Sequence, residues 1–374
     1  MNQLQSIELF SGAGGLAIGL HLAGFQHAAL YEWNASAVET LVYNQSMGFS
    51  ALQNCKIVRT DVRDVDFSKH QGIDLVAGGP PCQPFSMGGK AAGMNDVRDM
   101  FPQAVRAVAE IQPRAFIFEN VRGLLRPAFS NYVEYIRLQM EFPTFPISNN
   151  ASWDKNLARL QRHKEQSGDY IEGLHYRVHV HQVNAADYGV PQQRHRVFFV
   201  GFRSDVETQW SFPEPTHTDN LLSASPKKML KQKKWMTLDE SIGDLPEPSS
   251  KAAKKWLNHE FQDGAKTYPG HTGSALHRPA KALKAGAHGV PGGENMILFP
   301  DGSLRYLSVR ESARVQTFPD NYAFLGSWTE AMRQLGNAVP VELARRVALS
   351  VANALNTDSE RVTQPVSNEA IQST

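Results

Sequence analysis

The sequence predicts an α/β protein built on a parallel β-sheet, with a second, smaller and loop-rich module. Short apolar runs alternate with helical patterns through the first third of the chain, as in a parallel sheet covered on both faces. After Gly201 the composition shifts towards proline, glycine, serine and lysine, and helical periodicity returns near Ser308. With 374 residues, 41% hydrophobic and 20% charged, the chain can bury the core that this arrangement needs.

The strand and helix patterns follow one another in order up to residue 201. The apolar runs that predict strands are 6–10, 27–31, 73–77, 115–118, 177–183 and 197–201. The helical patterns between them are 16–23, 36–44 and 100–111. We expect the last two strands to be antiparallel neighbours. Residues 141–168 are polar and lack clear periodicity, which predicts an inserted loop or a short helix.

The composition divides the chain into a first domain, a module, a return segment and a tail. The predicted bounds are 1–201, 202–304, 305–355 and 356–374. Helical patterns in the return segment indicate that it completes the first domain. The polar composition of the tail predicts disorder.

Charge and cysteine content limit the classes of function. The 38 lysines and arginines nearly balance the 37 acidic residues, so an anionic partner would have to meet a local basic surface. The first residues lack the features of a signal peptide, and no apolar run approaches the length of a membrane span. We therefore expect a cytoplasmic protein without a membrane partner. Two cysteines, Cys55 and Cys82, cannot form a disulfide framework or a four-thiolate metal site, and we expect no metal.

A glycine turn follows the first predicted strand. Phe10-Ser-Gly-Ala-Gly-Gly opens a helix, and glycines at 12 and 14 allow the backbone to turn tightly and approach a ligand. Glu32 ends the second strand about twenty residues later, where an acid would bind ribose hydroxyls. Asp61 could accept a hydrogen bond from an adenine amino group. The pattern indicates a nucleotide-type cofactor, and the alternative is an ordinary turn with a solvated aspartate.

A rigid loop carries the second cysteine. Gly78-Gly-Pro-Pro-Cys follows an apolar strand, and prolines and glycines fix its shape before any ligand binds. This preorganisation suits a nucleophile at the carboxyl end of a sheet strand, where open parallel sheets bind ligands. A buried structural thiol is the usual alternative, and it is the interpretation we prefer for Cys55.

Two more groups of polar residues lie near the ends of strands. Glu119 and Asn120 end the strand that begins at Ala115, a position that suits a proton donor. Arg194 and Arg196 lead into the strand at 197–201, and their spacing places both on one side of an extended chain. Solvated strand residues are the alternative for both arginines.

Together, these motifs resemble those of the DNA cytosine-5 methyltransferases of bacterial or phage type. The matching segments are 10–15, 79–86, 119–121, 192–196, 305–319 and 336–340. They occur in the family's order and cover most of residues 1–201 and 305–350. The resemblance implies a Rossmann-like methyltransferase sheet that binds S-adenosyl-L-methionine, with a target-recognition domain at 202–304.

The resemblance also implies the residues that bind the cofactor. They are Phe10, Gly12, Gly14, Glu32, Trp33, Asp61, Val62, Asn337 and Val339. Two departures from the family are visible. Glu8 replaces the usual aspartate, a change from which we expect a small effect, and residues 96–102 differ from the fifth motif, so no cofactor contact is assigned there.

The catalytic assignments follow from the same resemblance and from the chemistry of cytosine. Cys82 would attack carbon 6 of the ring while Glu119 supplies a proton at nitrogen 3. Arg196 would hold the carbonyl at position 2 and Arg194 would support the loop, although which arginine reaches the base stays open. The target base must be flipped out of the duplex. The candidate substrate-binding residues are Pro80, Gln83, Ser86, Asn120 and Arg278.

The partners implied are double-stranded DNA and, as a further candidate, a cognate restriction endonuclease, with the enzyme acting as a monomer.

Three alternative functions remain. A nicotinamide-dependent oxidoreductase would leave the cysteine loop and both arginines without a role. The second is a methyltransferase that carries out the same chemistry on transfer RNA. The third is a catalytically inactive relative that binds DNA. The recognised DNA sequence cannot be read from a loop-rich module.

Overall fold

A computed structural model of the protein describes residues 3–81, 99–148, 150–167, 173–219, 232–267, 272–285 and 295–363. For residues 360–363 it describes the backbone only. The first eight strands are β1 Leu4–Leu9, β2 Phe25–Glu32, β3 Lys56–Arg59, β4 Leu75–Gly78, β5 Ala115–Val121, β6 Tyr176–Asn184, β7 Gln192–Gln193 and β8 His195–Arg203. Among the described residues, seven of these form one sheet in the order β3-β2-β1-β4-β5-β8-β6. The expected α/β fold is confirmed.

Strand direction decides which side chains meet. Strands β1 to β5 are parallel to one another, whereas β8 is antiparallel to both β5 and β6. The prediction that the last two long strands are antiparallel neighbours is therefore confirmed. Because β8 is reversed, its first residues lie at the same edge of the sheet as the carboxyl ends of β1, β2, β4 and β5. Open sheets of this type bind ligands at that edge.

Helices cover both faces of the sheet. They are α1 Gly15–Leu22, α2 Ala35–Ser46, α3 Phe101–Ile111, α4 Ser130–Glu141, α5 Trp153–Ser167, α6 Leu238–Ile242, α7 Val309–Val315, α8 Trp328–Asn337 and α9 Val341–Thr363. Side chains alternate along β5, so Phe116 and Phe118 pack with α3 and α4 on one face. Ala115 and Ile117 pack on the other face with α1 and α9.

The polar segment at 141–168 contains a longer helix than the sequence predicted. Helix α5 has 15 residues, and its Trp153, Leu157 and Leu160 face the core at helical spacing. Charged residues between these three positions hide the period in the sequence. Asn156, which is also buried, closes the preceding turn through hydrogen bonds to both backbone groups of Ser148.

The polar tail predicted from residue 356 is helical instead as far as Thr363. The prediction was wrong here because tertiary contacts hold the end of α9. Asp358 Oδ2 lies 2.9 Å from the Arg114 guanidinium, and Asp358 Oδ1 accepts a hydrogen bond from the backbone N–H of Glu207 at 2.7 Å.

The segments described between β8 and α7 form short strands, turns and the short helix α6. The remaining strands are β9 His217–Thr218, β10 Lys233–Lys234, β11 Ser274–Ala275, β12 Ala280–Lys281, β13 Met296–Leu298 and β14 Leu304–Tyr306. Phe202 still belongs to β8, and Trp210 packs on the same core as α9. Across the parts of the chain that the structure describes, none of the helices has the length and apolar character needed to cross a membrane.

Candidate active site

Glu119 and Arg196 form a buried ion pair at the carboxyl edge of the sheet. Arg196 Nε lies 2.5 Å from Glu119 Oε1, and each side chain is little more than a tenth exposed. The pairing follows from register: Val121 of β5 lies opposite Arg196 of β8, so Glu119, two residues earlier, is the diagonal neighbour on the same face. Burial lowers the pKa of Arg196, and the Glu119 carboxylate opposes this shift.

The backbone that leads to Cys82 lies against this pair. A β-carbon at Gly79 would lie 3.5 Å from Glu119 Oε2, which is ordinary contact distance. Asn120 donates a hydrogen bond from Nδ2 to the carbonyl of Pro80 at 2.9 Å. The amide of Met100 donates to the carbonyl of Pro81 at 3.1 Å. The chain is thus held at the two residues before Cys82.

Arg194 has a different environment from Arg196. It is 1% exposed, and its guanidinium donates to the carbonyls of Leu283, Gly336 and Ala338 at 3.1, 2.7 and 3.0 Å. Burial, followed by the nearby positive charge of Arg196, lowers the pKa of Arg194. Arg194 therefore joins the start of β8 to two distant segments.

The glycine turn after β1 adopts a conformation that most side chains avoid. Phe10, Gly12 and Gly14 have φ angles of 56°, 53° and 86°. The backbone N–H of Gly12 donates to Glu32 Oε2 at 2.8 Å, and that of Asn34 donates to Glu32 Oε1 at the same distance. Glu32 is thus fixed between the turn and the start of α2.

The predicted adenine contacts follow the ends of strands β2 and β3. Trp33 exposes 72% of its surface although it follows a buried strand. Asp61 accepts hydrogen bonds from Arg63, whose side chain lowers the pKa of the Asp61 carboxyl. Val62 is buried.

The last predicted motif meets the glycine turn through a close backbone approach. A β-carbon at Gly15 would lie 2.3 Å from the carbonyl oxygen of Val339, so this position requires glycine. Val339 is buried, whereas Asn337 is exposed. Val339, a predicted cofactor residue more than three hundred positions from the turn, is thus brought to it.

The comparisons with known proteins agree with this arrangement. The sequence profile of the C-5 cytosine-specific DNA methylase family matches residues 4–147 and 156–353. The chain belongs to this family. Type II methyltransferase M.NgoMIV of Neisseria gonorrhoeae is 34% identical over 371 residues, a match that covers 96% of this chain and 100% of that protein. Type II methyltransferase M.AplI of Arthrospira platensis is 33% identical, with 97% and 89% covered.

A crystal structure supports the fold. A prophage-encoded E. coli protein described as a DNA modification methyltransferase superposes with a TM-score of 0.60 and covers 94% of this chain and 99% of that one. At 22% identity this similarity concerns the fold alone. The expectations of a Rossmann-like methyltransferase sheet and of a DNA cytosine-5 methyltransferase are confirmed.

Three predicted residues of the methyltransferase, Cys82, Gln83 and Ser86, lie outside the described residues. Arg278 is half exposed, and its guanidinium lies 3.1 Å from Asp219 Oδ2 within the module. Cys55 is buried, donates to the carbonyl of Leu52 at 3.2 Å and has its pKa raised by burial to about 11. Such a thiol is a poor nucleophile at neutral pH, in line with a structural role.

Sequence reasoning missed Tyr322 and expected only a small effect from Glu8. Tyr322 donates its hydroxyl to the carbonyl of Ala13 at 2.8 Å and so supports the glycine turn from the return segment. Its place just after the 305–319 motif was the available signal. Glu8 is 1% exposed, its Oε2 has no hydrogen-bond partner among the described residues, and burial and the nearby Glu32 raise its pKa well above the usual range.

Proposed function

We propose that this DNA cytosine-5 methyltransferase acts on a flipped-out cytosine in duplex DNA through a covalent adduct on Cys82, with S-adenosyl-L-methionine as methyl donor. The observation that carries the proposal is the buried Glu119–Arg196 pair, which faces the backbone at Gly79 immediately before Pro80-Pro-Cys. The pair places a carboxyl group, which is the proposed proton donor, and a positive charge next to the backbone that leads to the thiol.

The chemistry explains why these groups are needed together. Carbon 5 of cytosine is too weak a nucleophile to take a methyl group unaided. The Cys82 thiolate forms a bond to carbon 6 while Glu119 donates a proton to ring nitrogen 3, so that negative charge does not build up on the ring. Arg196 holds the carbonyl oxygen at position 2. After methylation, loss of the carbon 5 proton expels the thiolate and restores the double bond.

The cofactor residues are proposed to be the nine that the motifs identify: Phe10, Gly12, Gly14, Glu32, Trp33, Asp61, Val62, Asn337 and Val339. The fixed carboxylate of Glu32 has lone pairs left for ribose hydroxyls, and the exposed indole of Trp33 offers a flat surface for an adenine ring. When bound, S-adenosyl-L-methionine supplies an electrophilic methyl group. The residues present therefore fit this cofactor.

Arg194 is proposed to act at a distance from the base. Its hydrogen bonds to Gly336 and Ala338 hold the last motif in place, and its bond to Leu283 ties the module to the sheet. Because Arg196 alone makes the ion pair with Glu119, Arg196 is the arginine that we assign to the base.

Target recognition is proposed to reside in residues 202–304, although Phe202 itself lies in β8. Two of the similar proteins are named as Type II methyltransferases, which supports a role in restriction and modification with a cognate restriction endonuclease as partner. We propose that the enzyme works as a monomer on double-stranded DNA in the cytoplasm. Transfer RNA is the less supported substrate.

The adduct provides the test. DNA that contains 5-fluorocytosine should trap the enzyme, because fluorine cannot leave carbon 5 as the proton does. We expect a cofactor-dependent shift on a denaturing gel with the parent and with Cys55→Ala, and none with Cys82→Ala. Bisulfite sequencing of DNA from expressing cells should then reveal the methylated sequence. A parent enzyme that forms no adduct, or methylates transfer RNA but not duplex DNA, would contradict the proposal.

A further inference from the structure

Tyr132 in α4 is hydrogen-bonded to the start of the chain segment that enters α3. Its phenol hydroxyl donates to Asp99 Oδ2. The other oxygen, Oδ1, accepts the backbone N–H of Phe101 at 3.1 Å and so satisfies one of the free amides in the first turn of α3. The Asp99 carboxylate is therefore held on one side by a side chain and on the other by a helix.

The residue after Asp99 is tied to the backbone that bears the nucleophile. The amide of Met100 donates to the carbonyl of Pro81 at 3.1 Å, and Pro81 directly precedes Cys82. The carbonyl of Pro80 is held separately by Asn120. Two hydrogen bonds thus locate the chain just before Cys82, one from β5 and one from the start of α3.

The polar insertion places an aromatic ring against Tyr132. Trp153, the first residue of α5, meets the Tyr132 ring edge-on, with centroids 5.6 Å apart and an interplanar angle of 88°. Trp153 lies in the short stretch, 148–155, between the two ranges matched by the family profile. Tyr132 is itself 3% exposed, so packing leaves its hydroxyl little freedom to leave Asp99.

We propose that Tyr132 is a positioning residue for Cys82. Its hydrogen bond to Asp99 fixes Met100, Met100 fixes the carbonyl of Pro81, and Pro81 sets where the thiolate meets carbon 6. The inference rests on the proposed role of Cys82. A misplacement of a reacting group by about 1 Å can cost on the order of a hundredfold in rate, so loss of one link in this chain should slow the attack.

The test compares two tyrosines on one helix. Tyr132→Phe keeps the ring against Trp153 and removes only the hydroxyl. Tyr135→Phe is the matched control, because Tyr135 is also buried and also contacts Trp153, with centroids 6.1 Å apart. Both variants are given 5-fluorocytosine duplex and S-adenosyl-L-methionine under single-turnover conditions. The rate constant of adduct formation, its end point and the dissociation constant of the cofactor are measured separately.

We expect Tyr132→Phe to form the adduct about tenfold more slowly, with the parent's end point and cofactor affinity, and Tyr135→Phe to match the parent. A structural role would lower the end point, which counts folded enzyme, and leave the rate constant unchanged, and that result would overturn the inference. Equal slowing in both variants would overturn it as well. If the parent itself forms no adduct, the role of Cys82 fails, and this inference fails with it. A parent-like rate in Tyr132→Phe overturns only the inference.

Discussion

Arg196 and Glu119 come from antiparallel strands and meet as a buried ion pair, Nε to Oε1 at 2.5 Å. The pair requires that β8 be reversed relative to the five parallel strands, because only then does the start of β8 reach the edge where β5 ends. A carboxyl group and a guanidinium are thus fixed in relation to each other before any substrate binds. Such preorganisation lowers the cost of stabilising charge during the reaction.

Replacement of Glu119 by glutamine should slow methyl transfer by about a hundredfold or more, because the amide keeps the shape of the side chain but cannot transfer a proton. The affinity for S-adenosyl-L-methionine should change little. Glu134→Gln is the matched control, since Glu134 also pairs with an arginine, Arg137, but is more than a third exposed on α4. Single-turnover methylation and cofactor titration check both. Lost cofactor binding with a normal rate at saturation would contradict the role assigned to Glu119.

The two arginines of the 192–196 motif should separate stability from catalysis. In Arg194→Lys, the lysine side chain cannot reach all three carbonyls to which the guanidinium donates, and it leaves a buried charge. We therefore expect a loss of about 2–4 kcal/mol in the free energy of unfolding. Arg196→Lys should lose mainly the rate of methyl transfer, because its chief partner is Glu119. Urea unfolding and single-turnover rates distinguish them. Equal losses of stability in the two variants would argue against different roles.

Glu8 should make the stability of the enzyme fall as the pH rises. Its folded-state pKa is raised well above the usual range by burial and by Glu32. Between the ordinary carboxyl pKa and this raised value, the folded protein keeps a proton that the unfolded chain has released, so stability falls through that window. Glu8→Gln removes this proton. We therefore expect the melting temperature of the variant, relative to that of the parent, to increase from pH 5 to pH 8. A difference in melting temperature that stays constant over this range would show that Glu8 is not buried as described.

The lysine run and Arg278 should affect DNA binding differently. Phosphate contacts are independent of sequence and weaken as salt rises, so neutralising Lys227, Lys228, Lys231, Lys233 and Lys234 should weaken cognate and non-cognate duplexes alike, with a shallower salt slope. The first three lie outside the described residues, and the last two are exposed in β10. A variant identical to the parent would mean that the run is only a solvated surface.

Arg278→Ala should instead lose affinity mainly for the cognate duplex, if this arginine reads a base edge. The sequence also suggests the glycine-rich stretch 271–295 as a candidate for loops that enter a groove, and its His271 and His288 lie outside the described residues. Because Arg278 lies near Asp219, Asp219→Ala is a useful control that frees the guanidinium without removing it. Binding to both duplexes is measured over a salt series. An unchanged preference in Arg278→Ala would remove it from the base-reading residues.

The local patterns of the sequence determined the strands, most helices and the candidate site residues. Alternating apolar runs predicted six strands of the large sheet. The glycine turn and the cysteine loop each follow a strand, and Glu119 lies near the end of one, as expected. Residues at the carboxyl ends of parallel strands meet at one edge whatever the loops between them do. The motifs could therefore be grouped into one site from order and type alone.

Only the tertiary structure decided which of these residues touch. Arg194 and Arg196 are the same residue type two positions apart, yet one binds three carbonyls and the other binds Glu119. Tyr132 and the last turns of α9 carried no readable local signal, because their partners lie far away in the sequence. Periodicity reports the neighbours of a residue along one helix or strand, whereas strand direction, register and packing set its neighbours in space.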